Sequence, residues 1–135
     1  MLSKLIPTLL LLSSIMTGAD FHPVVVPGTG QPFTSSPAIW AGNFLYISGQ
    51  IAKDQGSDAS AEIQNCFLQL DSVLKASGIS SKHVVYVQVY LTDTQDETAF
   101  EQVWRKSFSK SPPARSLIYA AALHQKSRIT MSAVA

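Results

Sequence analysis

The segment Pro112-Pro113-Ala114-Arg115-Ser116 carries the clearest chemical potential in this 135-residue chain. An arginine that opens a strand behind a rigid Pro-Pro lead-in is held in place before any ligand arrives. Its guanidinium offers a planar fork of donors matched to a carboxylate. On spacing alone the plainer alternative, a surface arginine at a strand end, is the stronger one, and Ser116 and the apolar run after it do not decide. The other candidates are weaker. His22, His83 and His124 lack metal-ligand spacing and read as surface residues of loops or strand ends. Cys66 falls on the apolar face of a helix and reads as a small core residue, not a nucleophile or ligand. A single cysteine can form neither an intramolecular disulfide nor a thiolate zinc cluster. The sequence contains no glycine-rich phosphate loop, serine-nucleophile elbow or HExxH helix. Gly28-x-Gly30 runs on into prolines instead of a helix, so it cannot serve as an anion-binding helix start. No metal and no cofactor are expected.

The elements that must position Arg115 are legible from periodicity. His22–Pro27 is a short β-branched run, and residues 28–37 form a loop by composition. Ala38–Ala41 and Phe44–Ile51, separated by Gly42-Asn43, predict a hairpin whose turn uses the positive φ open to glycine. From Asp58 to Ser77 the period becomes helical, with Ile63, Cys66, Phe67, Leu70, Val73 and Leu74 on one face. Asp58 or Ser60 can cap that helix, and Gly78 can end it in the left-handed conformation. Lys82–Asp93 alternates with period two, Val85, Val87, Val89 and Leu91 on one side, and both of its faces suit a central strand. Thr94-Gln95-Asp96-Glu97 has the pattern of a capping box opening an amphipathic helix through Phe100, Val103, Trp104 and Phe108. Pro112-Pro113 ends it. Two last strands are expected, Arg115–Leu123 and Arg128–Val134, joined by His124–Ser127. The order predicts an α+β fold, one mixed sheet backed on one face by two helices.

The N-terminus reads differently. Residues 1–19 place Lys4 before an apolar run from Leu5 to Met16, followed by Thr17, Gly18 and Ala19, the layout of a secretory leader. That run is too short for a membrane span of roughly 20 residues, so no stable membrane anchor is expected. The working domain would then be residues 20–135, secreted or within the secretory route. The ten Lys and Arg of the chain lose Lys4 with the leader and balance its nine Asp and Glu. A neutral domain of this size buries about two thirds of its unfolded surface, enough for its own core. Its charge gives no reason to expect a nucleic-acid partner.

Phe44–Ile51 (FLYISGQI), the helix Ile63–Gly78, the strand Val84–Asp93 with its LTD ending, PPARS at 112–116 and the closing Arg128–Ala135 (RITMSAVA) together resemble the RidA/YjgF (RutC-like) family of reactive-intermediate deaminases. The similarity runs from about residue 22 to 135. It implies a chorismate-mutase-like fold, a homotrimer with a site in each cleft between subunits, and a small-molecule carboxylate substrate. Family members of this type hydrolyse 2-imino acids to 2-keto acids and ammonia. By the resemblance, Arg115 corresponds to the arginine that grips the substrate carboxylate, and Ser48 and Gly49 to the segment lining the cleft. Anchoring the carboxylate and orienting a water at an already electrophilic imine carbon would supply most of the acceleration.

Four positions depart from the family pattern. Ser132 stands where the second glutamate of the closing strand positions the attacking water. A serine can hydrogen-bond a water but cannot take its proton near neutral pH. Phe33 matches a loop tyrosine and so lacks its hydroxyl, Glu101 matches a helix asparagine near the cleft, and Leu117 matches a cysteine. Tyr46, Glu101 and His124 are candidates to replace the lost polar groups. The expected function is conversion of a reactive imine or enamine on the Arg115 anchor. A carboxylate-binding trimer without turnover, or a cyclase or isomerase on the same scaffold, is the alternative. Ribonuclease activity ranks last.

Overall fold

A computed structural model describes residues 20–28, 34–55 and 58–135. The expected leader, residues 1–19, and the site candidate Phe33 lie outside the described residues. Along the chain come β1 (Phe21–Pro23), β2 (Ala38–Ala41), β3 (Phe44–Gln50), α1 (Ala59–Ala76), β4 (Tyr86–Leu91), α2 (Glu97–Ser107), β5 (Ala114–Tyr119) and β6 (Ile129–Val134). The strands form one mixed sheet in the order β1-β2-β3-β6-β4-β5. Neighbours are antiparallel except β4 and β5, which α2 connects as a parallel pair. Parallel neighbours need such a crossover, and it leaves β5 at the sheet edge. This is the α+β, chorismate-mutase-like arrangement that the sequence implies.

Local chemistry explains the boundaries. The Asp58 carboxylate accepts the Ala61 N–H at 3.0 Å and caps α1. Gly78, at φ +77°, closes the helix as its N–H reaches the Lys75 carbonyl, and the Ile79 N–H reaches that of Leu74. Gly42 turns the β2–β3 hairpin at φ +59°. The helices cover one face of the sheet. Ile63, Leu70 and Leu74 of α1 and Phe100 of α2 pack on Leu45, Val87, Val89 and Met131. Burial of each such side chain contributes about 1.5–3 kcal/mol. Phe67 meets the Trp104 ring edge-on at 6.4 Å, locking α1 to α2.

Several expected boundaries are corrected. Thr94 does not cap a helix: Asp93 accepts the Gln95 N–H at 2.9 Å, and residues 94–96 make a 3-10 turn before α2 opens at Glu97. Asp96 stands at the cap position without capping, because its carboxylate is buried against Arg128. The central strand is shorter than Lys82–Asp93, since Ser81–His83 is a 3-10 turn. Val85, expected to share a side with Val87, Val89 and Leu91, is 53% exposed, whereas those three are buried. β5 ends at Tyr119, four residues early. Beyond it comes a 3-10 turn, His124–Lys126, in which Gln125 and Lys126 take positive φ angles of 54° and 58°. The first strand is Phe21–Pro23; after it Val24, whose N–H donates to the Ala38 carbonyl of β2 at 2.9 Å, and Val26 are buried.

Candidate active site

Arg115 is the second residue of β5 and pairs in register with Val87, a fully buried residue of the helix-covered face. Strand alternation therefore turns its side chain toward α2. There the guanidinium carbon sits 4.7 Å from the centre of the Trp104 ring and 5.4 Å from that of Phe100. Aromatic faces attract a cation and hold it in one orientation. Arg115 Nη2 donates to Glu101 Oε1, one turn before Trp104 on the same helix. One turn earlier still, Glu97 accepts from the Tyr119 hydroxyl. That hydrogen bond raises the tyrosine's pKa. Two polar clasps thus tie α2 to the edge strand. Between them Leu117 lies against the core as a half-buried wall residue.

Ser48 and Gly49 occupy an irregularity in β3. The register with β6 pairs Ile47 with Ala133 and Gln50 with Met131, so Ser48 and Gly49 both stand opposite the single residue Ser132. This is a β-bulge, a device that re-aims side chains and recurs beside active sites. Ser132 pairs on its other side with Gln88, and Gln88 with Ser116, so a polar row crosses the sheet on the face the helices leave uncovered. Ser48 Oγ donates to the Ser36 carbonyl at 2.7 Å and fixes the loop ahead of β2. A Cβ placed on Gly49 would lie 3.0 Å from Thr130 Cγ2. Thr130 therefore belongs with Gly49 at this site, although sequence reasoning did not single it out. Its spacing of two residues from Ser132 was the available signal, since alternate strand residues share a face.

The structure brings Ser48, Gly49 and Ser132 together, and separately Arg115, Glu101 and Leu117. It does not join the two groups within one chain. β3 and β5 are three strand spacings apart, roughly 14 Å. Arg115 with Glu101, and Ser48 with Gly49, border separate clefts. One, of about 400 Å3, is lined by Glu101, Trp104, Arg105, Pro112 and Arg115. The other, of about 210 Å3, is lined by Ser36, Ser48, Gly49, Lys53 and Gln69. A third cleft, of about 370 Å3 between the helices, is walled by Phe67, Leu68, Leu74 and Val103 and holds none of these residues. Of the other candidate polar groups, Tyr46 stands half-exposed on the uncovered face and His124 is exposed on its turn.

Cys66 is fully buried. Its thiol donates to the Gln50 carbonyl at 3.2 Å, and loss of hydration on burial pushes its pKa up to about 12. A thiol in that state is no nucleophile. A second buried feature was not anticipated: Glu62, on the apolar face of α1, accepts the Arg128 N–H at 2.7 Å. Arg128 grips Asp96 through two hydrogen bonds of 2.9 and 3.0 Å. These pairs hold the start of β6 in place. Among the described residues no cluster of His, Cys, Asp and Glu could hold a metal ion, and no helix is long and apolar enough to cross a membrane.

Known proteins share both sequence and fold with this chain. Residues 27–135 match the family described as endoribonuclease L-PSP. The human 2-iminobutanoate/2-iminopropanoate deaminase is 32% identical over 115 residues, 81% of this chain and 82% of its own length. Protein DfrA of Myxococcus xanthus is 30% identical over 126 residues, 89% of this chain and 96% of its own. Among solved structures, yeast Mmf1 superposes with a TM-score of 0.80 at 29% identity, covering 86% of this chain and 98% of the other. RidA from an Antarctic Psychrobacter gives a TM-score of 0.76 at 25% identity, covering 84% and 97%. With the match extending over most of its length, the chain belongs to the endoribonuclease L-PSP family, the family of the RidA/YjgF proteins.

Proposed function

We propose that the protein is a hydrolase of 2-imino acids that works as a homotrimer, with each site built from two subunits. The observation that carries this reading is the division of the site residues. The Arg115 cluster lies at one sheet edge, on β5, and the Ser48–Gly49 bulge with Thr130 and Ser132 lies across the sheet from it, on β3 and β6. A ligand touching both needs a second copy of the chain. The uncovered sheet face carries Tyr46, Tyr86, Tyr90 and Ile118, an aromatic and apolar surface suited to association.

In such a site Arg115, oriented by Trp104 and Phe100, binds the substrate carboxylate. The hydroxyls of Thr130 and Ser132 hold a water over the imine carbon. Water adds to the protonated imine, and the resulting carbinolamine expels its nitrogen as ammonia, leaving the 2-keto acid. The hydroxyls orient the water without deprotonating it, and the electrophilic carbon makes this sufficient. Ser132 and Phe33 also favour a second reading, in which the trimer holds a carboxylate without turning it over.

The test generates 2-imino acids in situ and follows their decay with wild type, Arg115→Ala and buffer alone. The expected result is acceleration by wild type and its loss in the variant. Equal decay in all three would sink the deaminase reading, and carboxylate binding without turnover would favour the second. Light scattering should give three chains per particle. The leader reading adds that the protein enters the secretory route, so N-terminal sequencing of native material should begin near Asp20.

A further inference from the structure

Glu101 stands where a ligand's carboxylate would stand. Its Oε1 accepts from Arg115 Nη2, and the two side chains are about 26% and 29% exposed, so water screens the pair only in part. Trp104 and Phe100 flank the guanidinium and keep it from swinging away. The anchor is thus already neutralised by a carboxylate tethered one helical turn from its aromatic support. A free monocarboxylate must displace a competitor held beside the guanidinium at high effective concentration. A ligand with a positively charged nitrogen next to its carboxylate meets a different field. Its carboxylate can share the guanidinium fork while its N–H donors face Glu101, and no charge is left unpaired.

We infer that Glu101 is a specificity-determining residue that selects zwitterionic ligands, a carboxylate with an adjacent iminium or ammonium, over plain 2-oxo acid anions. The inference rests on the Arg115 anchor proposed above and sharpens it. Hydrolysis turns a net-neutral iminium acid into a monoanion that lacks the N–H donors, so the pair holds substrate and rejects product. Specificity of this kind arises as much from what the site disfavours as from what it attracts.

The experiment measures binding of two stable probes, 2-aminobutanoate and 2-oxobutanoate, to the full-length wild type, Glu101→Gln, Glu101→Asn and Arg115→Ala by calorimetry or ligand-observed NMR. Thermal melts establish that each variant is folded, and the two Glu101 variants back each other up. Wild type should prefer the amino acid. Both Glu101 variants should bind the oxo acid about tenfold more tightly and the amino acid more weakly, inverting the preference, and Arg115→Ala should lose both ligands. If binding depends on Arg115 while the ratio of the two affinities stays within about twofold on removing Glu101, the inference is wrong and the anchor stands. If neither probe binds any variant, or if Arg115→Ala binds as well as wild type, the anchor falls and the inference falls with it.

Discussion

Alkaline pH should destabilise this protein through one side chain, Cys66. The thiol is wholly enclosed on the apolar face of α1 and donates to the Gln50 carbonyl just after the β3 bulge. Burial disfavours its thiolate, nearby Glu62 adds repulsion, and a backbone hydrogen bond near Met131 offsets part of this. The pKa rises from 9.0 to about 12. Below the unfolded value both states keep the proton and the stabilisation is complete. As pH climbs from 9 toward 12 the unfolded chain ionises first, and stability drains away. Three pH units at about 1.4 kcal/mol each set a ceiling of roughly 4 kcal/mol, about 2 of it by pH 10.5. Urea unfolding of wild type and Cys66→Ala at about pH 8 and pH 10.5 isolates this contribution, because other ionisations are common to both proteins. Removing the sulfur costs stability at both pH values, so the decisive quantity is the change in the gap. Wild type should lose about 2 kcal/mol more than the variant on going to the higher pH. Parallel losses would refute the reasoning. So would rapid labelling of the native thiol by a disulfide reagent near pH 8, which would also reopen its candidacy as a nucleophile.

Two further outcomes follow from buried geometry. Glu62→Ala should lower stability by about 1–3 kcal/mol, because the part-buried Arg128 N–H and the buried Ser127 hydroxyl lose a carboxylate acceptor; a urea midpoint unchanged from wild type would refute it. Gly49→Ala should cost about 1 kcal/mol, since its Cβ would press on Thr130 Cγ2 at 3.0 Å, and Thr130→Ser in the same chain should restore most of the loss. A double-mutant cycle with no coupling would separate the two residues.

Periodicity revealed elements and faces where burial alone sets the pattern. The α1 face from Ile63 to Leu74, the Gly42 turn and the alternation of Val87, Val89 and Leu91 are all as expected. It failed where a side chain had a tertiary partner. Asp96 lies inside a motif that reads as a helix cap, yet its carboxylate serves Arg128, thirty-two residues away, and local spacing carries no trace of that pairing. Glu62 is the partial exception. It lies four residues before Cys66 on the apolar face, so its burial could have been read from spacing, though not its partner. The bulge was invisible as well, because SGQ fits a regular strand and only the pairing with Met131 exposes the extra residue.

Arg115 was legible as a candidate anchor; its pairing with Glu101 was not. That distinction shapes the chemistry. Neither Ser132 nor Thr130, on the β6 side of the site, supplies a carboxylate, and hydroxyls there cannot shuttle protons near neutral pH. Carboxylates reach the other half from α2, as Glu97 and Glu101, each engaged with a residue of β5. Glu97 is committed to Tyr119 at the far end of the strand, which leaves Glu101 beside the anchor. On the proposed reading, Glu101 is the carboxylate nearest the anchor and the one placed to exchange a proton with a bound ligand. On that reading, a ligand that draws Glu101 off the guanidinium brings a free carboxylate next to its own nitrogen, and binding is coupled to activation. In that division of labour the β6 side holds the water.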